Sequence, residues 1–141
     1  MKKVIKKVIL GIVENQKHEI LLTQRFEPDI PDAHLKWDII GGSQEKDEGK
    51  EETVTRECLE ETGYKIKVIR LLPKNITQEW KHKDFIVHVD LQCFYCRYIS
   101  GEILLRDPKI ACIEWVSEGT IFDFNLLKTT AEFLHIFFKN T

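Results

Sequence analysis

The stretch GGSQEKDEGKEETVTRECLEETGY, from Gly41 to Tyr64, carries most of what this chain says about itself. Its second half predicts a helix that begins at Lys50 or Glu51 and ends at Thr62. Glu51 and Glu52 in the first turn complement the helix dipole. Gly63 supplies the left-handed residue that commonly stops a helix. On that helix Glu57, Glu60 and Glu61 are related by i, i+3 and i, i+4, so they share one face. Glu57 has neither Lys nor Arg at i+3 or i+4. Exposed like charges at these spacings cost roughly 0.2–0.5 kcal/mol per pair, and more when partly buried. Either water solvates this face or a hard divalent cation sits among the carboxylates. Oxygen donors of this kind suit Mg²⁺, Mn²⁺ or Ca²⁺. Arg56 and the more distant Glu48 form a pair able to hold the helix against the preceding loop. Gly41 and Gly42 let the backbone come close to an ion or phosphate, although a tight turn explains them equally.

Outward from this stretch, strand patterns cover Val4–Val13, Ile20–Gln24, Ile66–Leu72, Phe85–Tyr98, Ile103–Leu105 and Ala111–Val116. Asn15 to His18 reads as a turn joining the first two. FEPDIPDAH, Phe26 to His34, reads as an exposed loop. A second helix is expected over about Asn125 to Lys139, with Asn125 as its N-cap and Leu127, Ala131, Leu134 and Phe138 as its apolar stripe. Phe133, Phe137 and Phe138 read as core anchors. Strands and helices mixed in one short chain predict an α/β (α+β) fold, with helices packed on a mixed sheet.

The chain has 141 residues, with 43% apolar and 31% charged residues and a net charge of −2. That is enough for a single domain, residues 1–141, around one core. The balance gives no basic footprint for duplex nucleic acid. MKKVIKKVILGIVEN is a lysine-rich first strand, not a secretory signal: its apolar run is short and no small-residue cleavage site follows. No run approaches membrane-spanning length, and a cytoplasmic location is expected. Cysteines 58, 93, 96 and 112 form no secretory framework. Cys93 and Cys96 fall on opposite faces of a strand, so CFYC is no metal or disulfide motif. His34, His82 and His88 are too scattered to form a metal set. Nothing in the sequence sets the oligomeric state.

The quoted stretch resembles the Nudix box, G-x5-E-x7-R-E-U-x-E-E-x-G-U, where U is bulky and apolar. Gly42 opens it, then Glu48, Arg56, Glu57, Glu60, Glu61 and Gly63 stand at the required spacings. Cys58 and Tyr64 occupy the U positions and are less aliphatic than usual. The resemblance implies a mixed sheet sandwiched between helices, α/β/α, with the box helix and a C-terminal helix. It implies a hydrolase that cleaves a nucleoside diphosphate linked to a further group X. It implies that Glu57, Glu60 and Glu61 bind Mg²⁺, with Mn²⁺ as a substitute, and that the Gly41 carbonyl adds a ligand. Glu48 and Arg56 would form an orienting ion pair. Glu57 is the first candidate for the general base, with Glu60 second.

EILLTQR, Glu19 to Arg25, is similar to the strand before the box in small nucleoside-triphosphate members of the family. Arg25 there lies near substrate; a surface arginine at a strand end is the plain alternative. SGEILLRDPKIACIEW, Ser100 to Trp115, is similar to a later segment. It puts Asp107 where a further acidic ligand sits, although Asp-Pro is also an ordinary turn. Asn125 stands where 8-oxo-purine-specific members face the base with an asparagine, and a helix cap explains it as well. Trp37 and Trp80 have faces for base stacking or for packing. Lys81 and Lys83 flank His82 in a small basic patch that suits a triphosphate or a solvated loop.

The reading that follows is a Mg²⁺-dependent pyrophosphohydrolase of small nucleotides, most simply a normal or oxidised nucleoside triphosphate cleaved to monophosphate and pyrophosphate. Signatures of coenzyme A, NADH, dinucleoside polyphosphate and ADP-ribose members are weak or missing. The alternatives are a non-catalytic Nudix-type nucleotide-binding sensor domain and a plain structural domain with an acidic helix.

Overall fold

The computed structural model describes residues 2–81 and 83–140. The strands are β1 (Lys2–Glu14), β2 (Ile20–Arg25), β3 (Trp37–Asp38), β4 (Ile40–Ser43), β5 (Lys65–Leu71), β6 (Ile76–Lys81), β7 (Phe85–Ser100) and β8 (Ile110–Val116). The helices are α1 (Lys50–Thr62), α2 (Glu118–Ile121) and α3 (Lys128–Lys139). The sheet runs β3-β2-β1-β7-β5, while β4 pairs with β1, β6 with β7 and β8 with β2. β1 and β7 are parallel along the whole of β1, from Lys2↔Phe85 to Glu14↔Arg97, and the other pairings are antiparallel. This is the mixed sheet that the pattern predicts.

Alternation along the central strands sorts side chains onto two faces. On one face Leu10, Ile12, Leu22, Cys93 and Tyr95 pack against Phe133, Leu134 and Phe137 of α3. On the other, Ile9, Val13, Leu21, Phe94 and Cys96 pack against Val54 and Cys58 of α1. The result is an α/β/α sandwich. Gly11 lets α1 settle close to the sheet, because a Cβ there would meet Val54 Cγ2 at 2.7 Å and Ile40 Cδ1 at 2.8 Å. Phe133 is fully buried, and burial of such a ring contributes about 1.5–3 kcal/mol. Cys93 and Cys96 face opposite helices, and all four thiols are free. Burial pushes the Cys58 thiol up to about 12.

The box helix has the expected bounds. Gly49 is its N-cap, and the Gly49 N–H donates to Glu52 Oε1 at 3.3 Å. Gly63 closes it at φ 83°, where a side chain would meet the Glu102 carbonyl at 2.5 Å.

Several expectations need correction. The C-terminal helix starts at Lys128, with Leu127 rather than Asn125 as N-cap. Residues 125–127 instead run beside β3: Trp37 N–H donates to the Asn125 carbonyl and Leu127 N–H to the Trp37 carbonyl. The buried stripe is accordingly Thr130, Phe133, Leu134 and Phe137, not the Leu127–Ala131–Leu134–Phe138 set. Ile103–Leu105 is not a strand but an exposed loop, anchored by the Leu104 N–H on the Thr62 carbonyl. β3, β4, β6 and α2 had no counterpart in the strand and helix patterns. His82 lies outside the described residues. Lys81 and Lys83 are both exposed.

Candidate active site

β4 lies against β1, with Leu10 opposite Gly41 and Ile9 opposite Gly42, and α1 crosses over it. Gly41 N–H donates to Glu61 Oε1 at 3.0 Å. A Cβ on Gly42 would lie 2.5 Å from the Glu57 carboxyl. The two glycines are therefore the floor on which the box carboxylates rest. Gly41 adopts φ 150°, and a side chain on it would strike the Ile9 carbonyl and Leu10.

Arg56 organises the acidic face. Its Nε and Nη2 donate to Glu48 at 2.7 and 3.1 Å, and Nη1 donates to Glu57 Oε1 at 2.9 Å and to Glu60 Oε2 at 3.1 Å. Nη2 also reaches the Ser43 carbonyl at 3.2 Å, tying α1 to β4. These contacts, with Glu48 first, hold the guanidinium charged well above its ordinary range. Glu48 answers in kind. Its bonds from Arg56 and from Thr53 Oγ1 hold its carboxyl at about 2.

The box glutamates are not equivalent. Glu57 and Glu61 line a cleft of about 960 Å³. Burial raises the Glu57 pKa, against the pull of Arg56, and Glu60 and Glu48 add repulsion. Burial raises Glu61 well above the usual carboxylate range, with repulsion from Glu57, Asp38 and Asp107 acting in the same direction. Glu60 sits at the rim, 59% exposed and tied to Arg56, and does not line the cleft. Among the described residues no three His, Cys, Asp or Glu side chains stand together as a ready metal cage. In kind, however, the cleft carboxylates around Glu61 fit a hard divalent cation: they are oxygen donors, partly buried, and repel one another. To join them, Glu60 must leave Arg56.

Six carboxylates and five basic side chains line the cleft. Arg25 is among them, 35% exposed and bonded to Asp38 and Glu27. Burial disfavours the Arg25 cation, but Asp38 and Glu27 outweigh it and the pKa stands raised. Lys6, Lys36, Lys109 and Lys128 line the same walls. Asp107 lines the cleft too, while its Oδ1 accepts the Lys109 N–H at 2.9 Å, as an Asp-Pro turn does. Asn125 is exposed and is not a lining residue. Trp80 is, and its side of the cleft is shared with Gln78, Val89 and Lys6. Trp37 instead packs edge-on against Phe124 at 5.1 Å.

The lysines, Asp38 and Thr130 went unrecognised in the sequence. Asp38 precedes the paired glycines closely enough to be noticed, but its partners Arg25 and Thr130 lie far away in the chain. His34 is no ligand candidate: its Nδ1 accepts the Glu27 N–H at 3.1 Å and closes the 26–34 loop. Among the described residues no helix is long and apolar enough to cross a membrane.

Comparison with known proteins places this geometry. A Bacillus subtilis (strain 168) protein, provisionally named an 8-oxo-dGTP diphosphatase, is 31% identical over 110 residues, which are 78% of this chain and 65% of that protein. The chain thus spans a little under two thirds of that relative's length. A MutT protein from Methanosarcina mazei Go1 superposes with a TM-score of 0.71 at 22% identity, covering 100% of this chain and 99% of that one. A NUDIX hydrolase from Nitrosomonas europaea gives 0.75 at 18% identity, covering 96% and 89%. At those identities the solved structures speak for the fold. The sequence model of the NUDIX domain matches residues 5–138, nearly all of the chain, and with the box helix lying over Gly41 and Gly42 the chain belongs to the Nudix family.

Proposed function

We propose that this chain is a Mg²⁺-dependent hydrolase that cleaves a pyrophosphate bond in a nucleoside diphosphate-X substrate. Its simplest substrate is a normal or oxidised nucleoside triphosphate, giving monophosphate and pyrophosphate. The single observation that carries this reading is the pair Glu57 and Glu61, partly buried at the wall of a nucleotide-sized cleft, each with its pKa raised by desolvation and by repulsion from neighbouring carboxylates. Such an arrangement costs stability unless a cation completes it. The excess of acids over bases in the same cleft has the same consequence: a triphosphate binds there only together with metal.

Glu57, Glu61 and a Glu60 released from Arg56 would hold the ion, with the Gly41 carbonyl and Asp107 as further oxygen donors. When bound, Mg²⁺ neutralises the phosphate chain and acidifies a water. Arg56 and Glu48 keep the helix face in register with β4, as their bonds to Ser43 and Thr53 allow. Glu57 is the proton acceptor in this reading, because burial raises its affinity for a proton while it faces the cleft. Lys6, Lys36, Lys109 and Lys128 supply charge for the phosphates, and Arg25, already paired with Glu27 and Asp38, supplies directed donors. Trp80, 53% exposed, offers an aromatic face to a base. Asn125 has no part in this reading. The diphosphatase name of the Bacillus subtilis relative agrees with a purine triphosphate as substrate.

The test is release of pyrophosphate and phosphate with Mg²⁺, across normal and oxidised nucleoside triphosphates, ADP-ribose, dinucleoside polyphosphates and coenzyme A. Glu57→Gln runs in parallel. Turnover of one class that the variant loses supports the proposal. Metal-dependent nucleotide binding without turnover assigns the chain to the sensor reading instead.

A further inference from the structure

Arg25 ends β2 at the cleft wall, and each of its guanidinium nitrogens already meets a carboxylate. Nε and Nη2 contact Glu27 Oε2 at 2.7 and 2.6 Å, and Nη1 donates to Asp38 Oδ2 at 3.1 Å. A guanidinium has five N–H bonds, so Nη1 and Nη2 each keep a donor for a ligand. Flanked by two carboxylates, Arg25 brings no net attraction for an anion. It has direction to offer, in the planar fork that matches phosphate oxygens.

Asp38 is gripped from its other side. Its Oδ1 accepts Thr130 Oγ1 at 2.5 Å and the Ile39 N–H at 2.8 Å. Thr130 is fully buried in the first turn of α3, where a valine of the same shape would pack as well. Burial also raises the Asp38 pKa, despite the bonds from Thr130 and Arg25. A carboxylate that opposes its own burial is a poor choice for stability alone, since an apolar pair fills such a place at less cost.

We propose that Asp38 and Thr130 are positioning residues for the phosphate chain of the substrate. Thr130 on α3 fixes the Asp38 carboxylate, and Asp38 fixes the Arg25 fork along the cleft wall. The proposal rests on the reading of the cleft as a nucleotide site and deepens it, because it gives a buried threonine of α3 a part in substrate binding without contact to the substrate. Asp38 lies between Trp37, which is bridged to the 125–127 segment, and Ile39 in the core, so the clamp joins two elements that the backbone holds together.

Thr130→Val removes the hydroxyl and keeps the shape. It is expected to raise KM for the preferred nucleotide about tenfold, with kcat nearly unchanged, as loss of a bond to a charged group relayed through one contact. In an Arg25→Ala background the same substitution is expected to have no further effect on KM. A purely structural hydroxyl would act equally in both backgrounds, and that result overturns the proposal. The clamp is also read without substrate: the Arg25 η protons, distinct in the spectrum of the ¹⁵N-labelled wild type, broaden in Thr130→Val. Unchanged η resonances overturn the proposal even where no nucleotide is turned over. A wild type with ordered η protons that neither binds nor hydrolyses any nucleotide overturns the phosphate-positioning role and the hydrolase reading together, and leaves only the Asp38–Thr130 contact.

Discussion

Gly42→Ala separates the site from the fold. Gly42 has no positive φ, so the backbone accepts alanine. The new methyl would stand 2.5 Å from Glu57 Cδ and Oε1 and 2.8 Å from Oε2, about 1 Å inside ordinary carbon contact. The far end of a side chain gives way before two elements do, so Glu57 rotates out. That rotation removes the carboxylate from the cleft and breaks the 2.9 Å bond from Arg56. Loss of one partly exposed charge-assisted bond costs about 1–2 kcal/mol. Displacement of a reacting group by 1 Å costs about a hundredfold in rate. The variant should therefore melt within about 3–6 °C of wild type, show the same circular dichroism and release pyrophosphate about a hundredfold more slowly. Gly41→Ala is the contrast, because its φ of 150° and its contact with the Ile9 carbonyl cannot be relieved by a side chain, and both stability and activity should fall. Undiminished kcat in Gly42→Ala would refute the placement of Glu57 as a group needed in the cleft.

Other consequences can be measured directly. Glu48 is held at about 2 when folded against about 4.3 unfolded, so its stabilising contribution is present above the unfolded value. It should disappear as pH falls from about 4.5 to about 2; a denaturation series should show this slope, and Arg56→Met should flatten it. Glu61 is shifted the other way, so in metal-free protein its ionisation opposes folding. Glu61→Gln should raise the metal-free melting temperature and abolish the further rise produced by Mg²⁺ in wild type; a variant still stabilised by Mg²⁺ would exclude Glu61 as a ligand. Trp80→Ala should raise KM for nucleotides roughly tenfold and leave the melting temperature within about 2 °C, since the ring is half exposed. Equal KM values would remove Trp80 from base binding.

The box helix was legible because its information is local. Acidic residues in the first turn, a glycine stop and fixed glutamate spacings all lie within a few turns of one another. The long strands were legible for the same reason, through alternation. What escaped depends on distance or on negation. β3 and β4 are short, β4 with two glycines among its four residues, and they exist because β2 and β1 pair with them. Ile103–Leu105 has strand-like residues but no strand beside it. Asn125 looks like a cap, yet Trp37, a residue from another part of the chain, recruits its carbonyl and delays the helix to Lys128. Helical spacing puts Glu57, Glu60 and Glu61 on one face, but the position of Arg56 then divides them, with Glu60 at the rim and Glu61 against Gly41. Spacing alone does not contain that division.

The parallel union of β1 and β7 has a consequence for how the chain is made. Lys2 waits for Phe85 and Glu14 for Arg97, so during synthesis the central strand emerges long before its parallel neighbour exists, and one of its edges stays open. Contacts of such sequence separation slow folding, and an unpaired apolar strand invites other chains in the interval. Ile9, Leu10, Ile12 and Val13 form that hazard, and Lys2, Lys3, Lys6 and Lys7 precede them. Those lysines act as a charged guard on a nascent edge, a duty finished once the sheet has closed.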